Sequence, residues 1–140
     1  VAFDTDPKRV QQGQADGHVV LYGDIADPDL LAAARAERAA LAIVTVDSHA
    51  IALRAIAALC QHCPQVPVIA RARDLEASSA LVNAGAIHAY PEAIESSLRL
   101  GATALRMLRI PTVDIDLMLQ DIRDWDYQPV IETPVEEDAK

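Results

Sequence analysis

Short apolar runs alternate with segments of helical periodicity along most of this chain. Continuous apolar runs of this length are typical of parallel strands that are buried on both faces. Alternating strands and helices predict an α/β fold, a Rossmann-like parallel sheet with helices on both faces. The five strand-like runs are Val1–Phe3, His18–Tyr22, Leu41–Val46, Val66–Ala70 and Ile87–Tyr90.

Helical patterns fill the intervals between these runs. One begins with Asp27 as a cap and Pro28 at its first position, and another ends at Gly85, where glycine suits a C-cap. The last has apolar residues at helical spacing and basic residues in its final turn, which suits the helix dipole. The predicted helices are Pro7–Gln14, Asp27–Arg35, Ser48–His62, Leu75–Ala84 and Pro91–Arg109.

The pattern changes after Arg109. Ile110 and Pro111 break the helix, and Val113–Tyr127 reads as one further amphipathic helix, whereas the periodicity is lost from Gln128 onward. We therefore expect three segments. They are an incomplete Rossmann-like domain over 1–109, a C-terminal dimerisation helix over 110–127 and a disordered acidic tail over 128–140.

The first apolar run ends at Asp4, as the second strand of a dinucleotide-binding unit ends at the acid that binds the ribose hydroxyls. That acid normally lies about 20 residues beyond a Gly-x-Gly-x-x-Gly turn, but only three residues precede Asp4. We therefore expect the fold to be truncated at its N-terminus. In strand order 3-2-1-4-5-6 the first strand is central, so the sheet must close up, split, or borrow a strand from a second chain.

Composition and net charge limit the partners and the cellular compartment that fit this chain. A formal net charge of −9 argues against nucleic acid or an anionic membrane surface as a partner. Apolar residues make up 51% of the chain, yet no apolar stretch approaches the roughly 20 residues that span a bilayer. Two cysteines do not make a secreted disulfide framework, which favours the cytosol.

Candidate ligand residues lie where the first two predicted strands end, because ligands bind beyond the carboxyl ends of parallel strands. Asp4 could bind a ribose, or it could be a solvated acid in a turn. Asp6 is the natural cap for the helix that begins at Pro7. Gly23 would let a planar ring approach the backbone and Asp24 could accept from an adenine amino group, although an ordinary turn explains both.

The next two strand ends add polar and basic residues. Thr45 could touch a ribose or phosphate, and Asp47 either lines the same rim or caps the following helix. Arg71 and Arg73 share one side of an extended segment, and arginine forks suit phosphate or carboxylate. The alternative for both arginines is an ion pair with a nearby acid.

No arrangement typical of an enzyme is visible in the sequence. Cys60 and Cys63 lie at the end of a predicted helix, where the dipole raises a thiol pKa, and a zinc site would need further ligands. The histidines are scattered, and the sequence has neither a serine elbow nor a glycine-rich phosphate loop. We expect a non-catalytic domain with no metal site.

Several segments together resemble a known family. They are the strand ending at Asp4-x-Asp6-Pro7, the segment from Val20 through Gly23-Asp24 to Leu31, the run Ala39–Val46, the stretch Pro67–Asp74 with its two arginines, and Leu81–Ala86. This order resembles the RCK domain, also called TrkA-N, of potassium channels and transporters. The stretch from Ala70 to Tyr127 is most similar to Kef-type cation:proton antiporters.

The resemblance implies a regulatory domain that follows a membrane antiporter domain on the cytoplasmic face of the inner or plasma membrane, and that forms homodimers. It implies binding of an adenine nucleotide, NAD(H) or AMP, with Asp4 at the ribose, Asp24 at the adenine and Thr45 to Asp47 on the rim. In Kef-type members the arginines that correspond to Arg71 and Arg73 lie near a glutathione site. Without the glycine-rich loop, we expect the pyrophosphate to lose its backbone cradle.

Three functions fit these observations. The first is the ligand-sensing domain of a potassium:proton antiporter, in which nucleotide binding rearranges a dimer. The second is a regulatory subunit of a potassium uptake system, which has the same fold and no membrane domain in its own chain. The third is the cofactor-binding part of an NAD-dependent dehydrogenase, which requires a substrate domain elsewhere.

Overall fold

The computed structural model describes residues 1–125 and Tyr127. Every predicted strand and helix is present, with bounds that shift by a few residues. A single 3₁₀ turn, Ala36–Arg38, follows the second helix. In chain order the elements are β1 (Ala2–Asp4), α1 (Pro7–Ala15), β2 (Val20–Tyr22), α2 (Pro28–Ala33), β3 (Ala42–Val44), α3 (His49–His62), β4 (Val68–Ala72), α4 (Leu75–Asn83), β5 (His88–Pro91), α5 (Glu92–Met107) and α6 (Thr112–Asp124).

The strands form two parallel sheets instead of one. β1 pairs with β2, and β3, β4 and β5 pair in that order. The registers run from Ala2 opposite Val20 in the first sheet and from Ala42 opposite Val68 in the second. Of the three arrangements that the sequence left open, the described residues show the split sheet. Within the described residues, β1 and β3 each keep one edge without a partner strand, as do β2 and β5.

Helix packing joins the two sheets. Helix α3 buries a stripe at helical spacing that includes Ala52, Ala55, Ile56 and Leu59, and this stripe packs on β3 and β4. Leu31 of α2 is only 1% exposed and belongs to the same core. Because β1 and β3 share no ladder, the contact of α2 with α3 connects the two sheets.

Part of the β3 surface is not covered. Ile43, in the middle of this strand, is 62% exposed, whereas parallel strands are normally buried on both faces. Val44 on the other face is buried in the core. The described residues therefore cover one face of β3 at this position and leave the other open.

The chain divides into two compact units, Val1–Ala93 and Ile94–Lys140. The second is a helical hairpin of α5 and α6 in which Ala102 and Ile115 are buried. The prediction of a helix up to Tyr127 was too long, because Trp125 is the C-cap and Tyr127 has a φ of 63°. The acidic tail predicted for residues 128–140 lies outside the described part.

The helices that the structure describes are short. The longest of them, α5, is Glu92–Met107, which is shorter than the roughly 20 residues that span a bilayer. No helix in this part of the chain is long and apolar enough to cross a bilayer.

Candidate functional site

Asp4 ends β1, and its carboxylate is held from two directions. The Asp6 backbone N–H donates to Oδ1 over 2.8 Å. Arg9 Nη2 donates to the same oxygen over 3.1 Å, and Arg9 Nε lies 2.8 Å from Oδ2 in an ion pair. These contacts, first the one from Asp6 and then those from Arg9, lower the pKa of Asp4. The carboxylate is therefore ionised and oriented at the carboxyl end of β1.

Asp6 is the N-cap of α1, as its position before Pro7 predicts. Its side chain accepts from the Lys8 backbone N–H over 2.8 Å. A second carboxylate oxygen lies 3.8 Å from Arg9 Nε. Asp6 thus has a structural role already, and it adds negative charge beside Asp4.

Gly23 and Asp24 end β2 in a conformation fixed by neighbouring side chains. Gly23 has a φ of 153°, and a Cβ at this position would lie 2.6 Å from Leu30 Cδ2. The Asp24 carboxylate accepts from the Ala26 backbone N–H over 2.9 Å and from Arg54 over 2.8 Å. Packing and a turn therefore explain both residues, and a ligand at Asp24 would compete with Arg54.

Arg71 forms hydrogen bonds with polar groups just after the ends of β3 and β5. Its Nη2 donates to the Thr45 carbonyl over 2.7 Å and also to the Asp47 carboxylate, and its Nη1 donates to Glu92 over 3.0 Å. Arg71 lies within β4 and not after it, because the alternation of buried residues continues to Ala72. Its guanidinium bridges three chain segments.

The prediction that Asp47 caps α3 was wrong. The N-cap is Ser48, which makes no side-chain bond to the helix, and Asp47 pairs instead with Arg71. The ion pair with the Arg71 guanidinium holds the Asp47 carboxylate at the carboxyl ends of the strands. The bonds to Asp47 and Glu92 in turn raise the pKa of Arg71 further.

A cavity of about 440 Å³ opens beside this arginine. Arg73 lies on its wall with its side chain 89% exposed, and it pairs with the adjacent Asp74 at 3.1 Å. Asp74 also caps α4 by accepting from the Ala77 backbone N–H. The polar lining comprises two arginines, one histidine and four carboxylates, namely Arg71, Arg73, His49, Asp47, Asp74, Glu76 and Glu92.

The predicted site residues fall into two groups. Asp47, Arg71 and Arg73 line the cavity, whereas Asp4 and Asp24 lie at the ends of β1 and β2. Ion pairs with nearby acids hold both arginines, which is the alternative that the sequence left open. Sequence reasoning missed Arg9 and Arg54. Arg9 follows the strand-end acid Asp4 by five residues, which is a usable local signal, whereas Arg54 lies 30 residues after Asp24 and has none.

The two cysteines have packing roles. Cys63 is the C-cap of α3 and only 3% exposed, and burial raises the pKa of its thiol. The sequence predicted the direction of this shift from the helix dipole, but burial is its main cause. The Cys60 sulfur packs against Gly85, where a Cβ would lie 2.5 Å from Sγ.

Comparison with known proteins identifies relatives among potassium antiporters. The glutathione-regulated potassium-efflux system protein KefC of Cronobacter sakazakii is 33% identical over 132 residues, which cover 94% of this chain and 21% of the relative. The chloroplastic K(+) efflux antiporter 2 of Arabidopsis thaliana is 32% identical over 123 residues, 88% of this chain and 10% of the relative. The chain thus spans between a tenth and about a fifth of these proteins.

A solved structure of the Shewanella denitrificans Kef CTD in AMP bound form has the same fold. It matches with a TM-score of 0.70 and 28% identity, over 81% of this chain and 72% of that one. The family model of the TrkA-N domain matches residues 1–91. This match runs from the start of β1 to the end of β5, so it includes all five strands and every predicted site residue. The chain therefore belongs to the TrkA-N domain family.

Proposed function

We propose that this chain is the ligand-sensing regulatory domain of a potassium:proton antiporter, and that it binds an adenine nucleotide at the ends of its strands. The proposal places it on the cytoplasmic face of the membrane, after the transport domain of a longer protein. The observation that carries it is the oriented, ionised carboxylate of Asp4 at the end of β1. Ligands of such sheets bind beyond the carboxyl ends of the strands, where the strand order reverses.

The nucleotide would be AMP or NAD(H). The similar Kef CTD was solved in an AMP bound form, and its identity to this chain supports a similar site. Asp4 would accept from the ribose, Asp24 would face the adenine, and Thr45 and Asp47 would form the rim. Because Asp24 already pairs with Arg54, binding at the adenine end requires this arginine to move.

A second ligand is proposed for the cavity beside Arg71. The KefC relative is a glutathione-regulated system by its name, and glutathione carries carboxylates that arginine forks bind. The cavity walls also hold four carboxylates, so an anionic ligand must displace at least one of them from its arginine. Arg73 is the more available of the two arginines, because its side chain is 89% exposed.

Regulation would operate through a homodimer. The outer face of α6 carries exposed apolar side chains, including Leu117, Met118 and Trp125. A contiguous exposed apolar surface is typical of an interaction site. Ligand binding would then shift the dimer between two arrangements, which needs a difference in binding free energy of about 1–3 kcal/mol.

The names of the relatives favour an antiporter over the other two functions. Both curated relatives are potassium efflux proteins, so the uptake-subunit and dehydrogenase hypotheses have less support. The proposed domain performs no chemistry of its own. Its ligands act by binding to one arrangement of the protein more tightly than to another.

Calorimetric titration with AMP, ATP and NADH tests the proposal. Saturable binding of at least one nucleotide is the expected result. The sedimentation of the chain, measured with and without that nucleotide, should also report a dimer whose population or shape responds to it. A chain that binds none of the three nucleotides would contradict the proposal.

A further inference from the structure

Rossmann sites distinguish riboses with two kinds of side chain. An acid at the end of the second strand accepts from the hydroxyls of an unmodified ribose, and a nearby arginine accommodates a 2′-phosphate. This chain has both groups in contact, because Arg9 donates to Oδ1 of Asp4 and lies 2.8 Å from Oδ2 in an ion pair. This pairing determines which acceptor positions of Asp4 and which N–H donors of Arg9 are open to a ligand.

The free acceptor positions of Asp4 lie on one oxygen. A carboxylate has about four acceptor positions, and the hydrogen bonds from the Asp6 backbone and from Arg9 Nη2 both go to Oδ1. Oδ2 lies 2.8 Å from Arg9 Nε in an ion pair. An unmodified ribose that donates its hydroxyls to Oδ2 therefore binds directly beside the Arg9 guanidinium.

Arg9 is available to an anion. One of the five N–H donors of its guanidinium makes the hydrogen bond to Asp4, and its side chain is 66% exposed. The carboxylates of Asp4 and Asp6 would otherwise repel a phosphate, and Arg9 lies 2.8 Å from the first and 3.8 Å from the second. Among the described residues, Arg9 is the basic side chain that forms ion pairs with both carboxylates.

We propose that Arg9 is a specificity-determining residue that lets this site accept an adenine nucleotide with a 2′-phosphate on the ribose. The inference rests on the proposed nucleotide site and adds a ligand class to it. Arg9 keeps its bonds to Asp4 and turns its outer edge to the phosphate in a bidentate contact. An arginine that only held Asp4 in place would favour unmodified and phosphorylated riboses alike.

The test compares AMP with adenosine 2′,5′-bisphosphate in calorimetric titrations of the chain and three variants. The wild-type protein should bind both ligands with affinities within tenfold of each other. Arg9→Ala should weaken the bisphosphate at least tenfold and leave AMP unchanged or tighter. Arg9→Lys keeps the charge without the fork and should lie between. Lys8→Ala removes a neighbouring positive charge from the same helix and should change neither affinity more than twofold.

Each other outcome overturns the inference. Arg9→Ala that weakens both ligands equally would show that Arg9 only supports Asp4, and an equal effect of Lys8→Ala would show that net charge alone matters. Wild-type protein that binds AMP but binds the bisphosphate over a hundredfold more weakly would refute the ligand class and leave the proposed function intact. Binding of neither ligand would end both proposals.

Discussion

Arg54 on α3 donates from Nη2 to Oδ2 of Asp24 over 2.8 Å, and this ion pair ties the end of β2 to the helix that covers the larger sheet. Both side chains are largely exposed, at 62% and 39%. Exposed pairs of this kind stabilise a protein by less than about 1 kcal/mol. The connection between the two sheets must therefore depend mainly on the buried contacts of α2 and α3.

Leu31→Ala tests whether the buried contacts of α2 and α3 connect the two sheets. Leu31 is 1% exposed in the shared core, and truncation of a buried leucine costs about 2–5 kcal/mol. We expect a loss of that size in the free energy of unfolding, measured by urea titration, and a loss below about 1 kcal/mol for Arg54→Ala. Leu100→Ala, at a residue that is 72% exposed, is the matched control and should change it by less than about 0.5 kcal/mol. The reverse order of the first two variants would contradict the account.

The contact of Glu95 with Arg123 predicts a pH dependence. Arg123 donates to both carboxylate oxygens over 2.8 and 2.7 Å, which lowers the pKa of Glu95 below its ordinary value of 4.5. A lowered pKa stabilises the folded state above pH 4.5, and this contribution is lost as the pH falls through the lowered value.

Thermal unfolding of wild type and Glu95→Gln as a function of pH measures this contribution. The wild-type protein should be more stable by about 1 kcal/mol or less at pH 7, because Arg123 is partly exposed. The difference should shrink as the pH falls below 4.5 and vanish in strong acid. A difference that stays constant with pH would show that the ionised carboxylate is not the stabilising group.

Alanine substitutions of the two cavity arginines should differ in their effect on the thermal midpoint. Arg73→Ala removes an exposed side chain and should weaken glutathione binding severalfold without lowering the thermal midpoint. Arg71→Ala should weaken binding and also lower the midpoint, because it leaves Asp47 and Glu92 without the guanidinium between them. Arg38→Ala, at an exposed arginine outside the cavity, is the control for net charge. Equal glutathione affinity in all four proteins would exclude this cavity as the site.

The proposed dimer surface on α6 can be tested by charge insertion. Met118→Asp places a charge on the exposed apolar face, and light scattering should show a smaller dimer fraction. Gln120→Asp adds the same charge on the opposite side of the helix and should leave the dimer unchanged. A wild-type chain that stays monomeric at millimolar concentration would refute the proposed surface, as would equal dissociation by both variants.

The order and type of the elements could be predicted from the sequence because strand-sized apolar runs alternate with capped helical patterns. Asp6 and Asp27 cap α1 and α2 as their positions before Pro7 and Pro28 predict. The short segment before Asp4 indicated a gap in the sheet, but it left open whether the sheet closes up, splits or borrows a strand. The bounds were less certain because β4 continues through Arg71, whose long side chain disguises the alternation with buried Ala72.

The site was harder to predict because ion pairing depends on contacts that are distant in sequence. Arg71 meets Asp47 and Glu92, which lie 24 and 21 residues away, and no local pattern selects these two from 21 acidic residues. The strand-end positions themselves follow from topology. Which acid each arginine contacts is determined by tertiary structure.

The central claim is that a nucleotide binds at Asp4, and AMP titration of wild type and Asp4→Ala tests it most directly. The account predicts saturable binding by the wild type and affinity at least tenfold weaker in the variant, because the ribose loses its acceptor. Asp16→Ala removes an exposed acid at the other end of α1 and should leave the affinity unchanged. Wild-type affinity in Asp4→Ala would contradict the account.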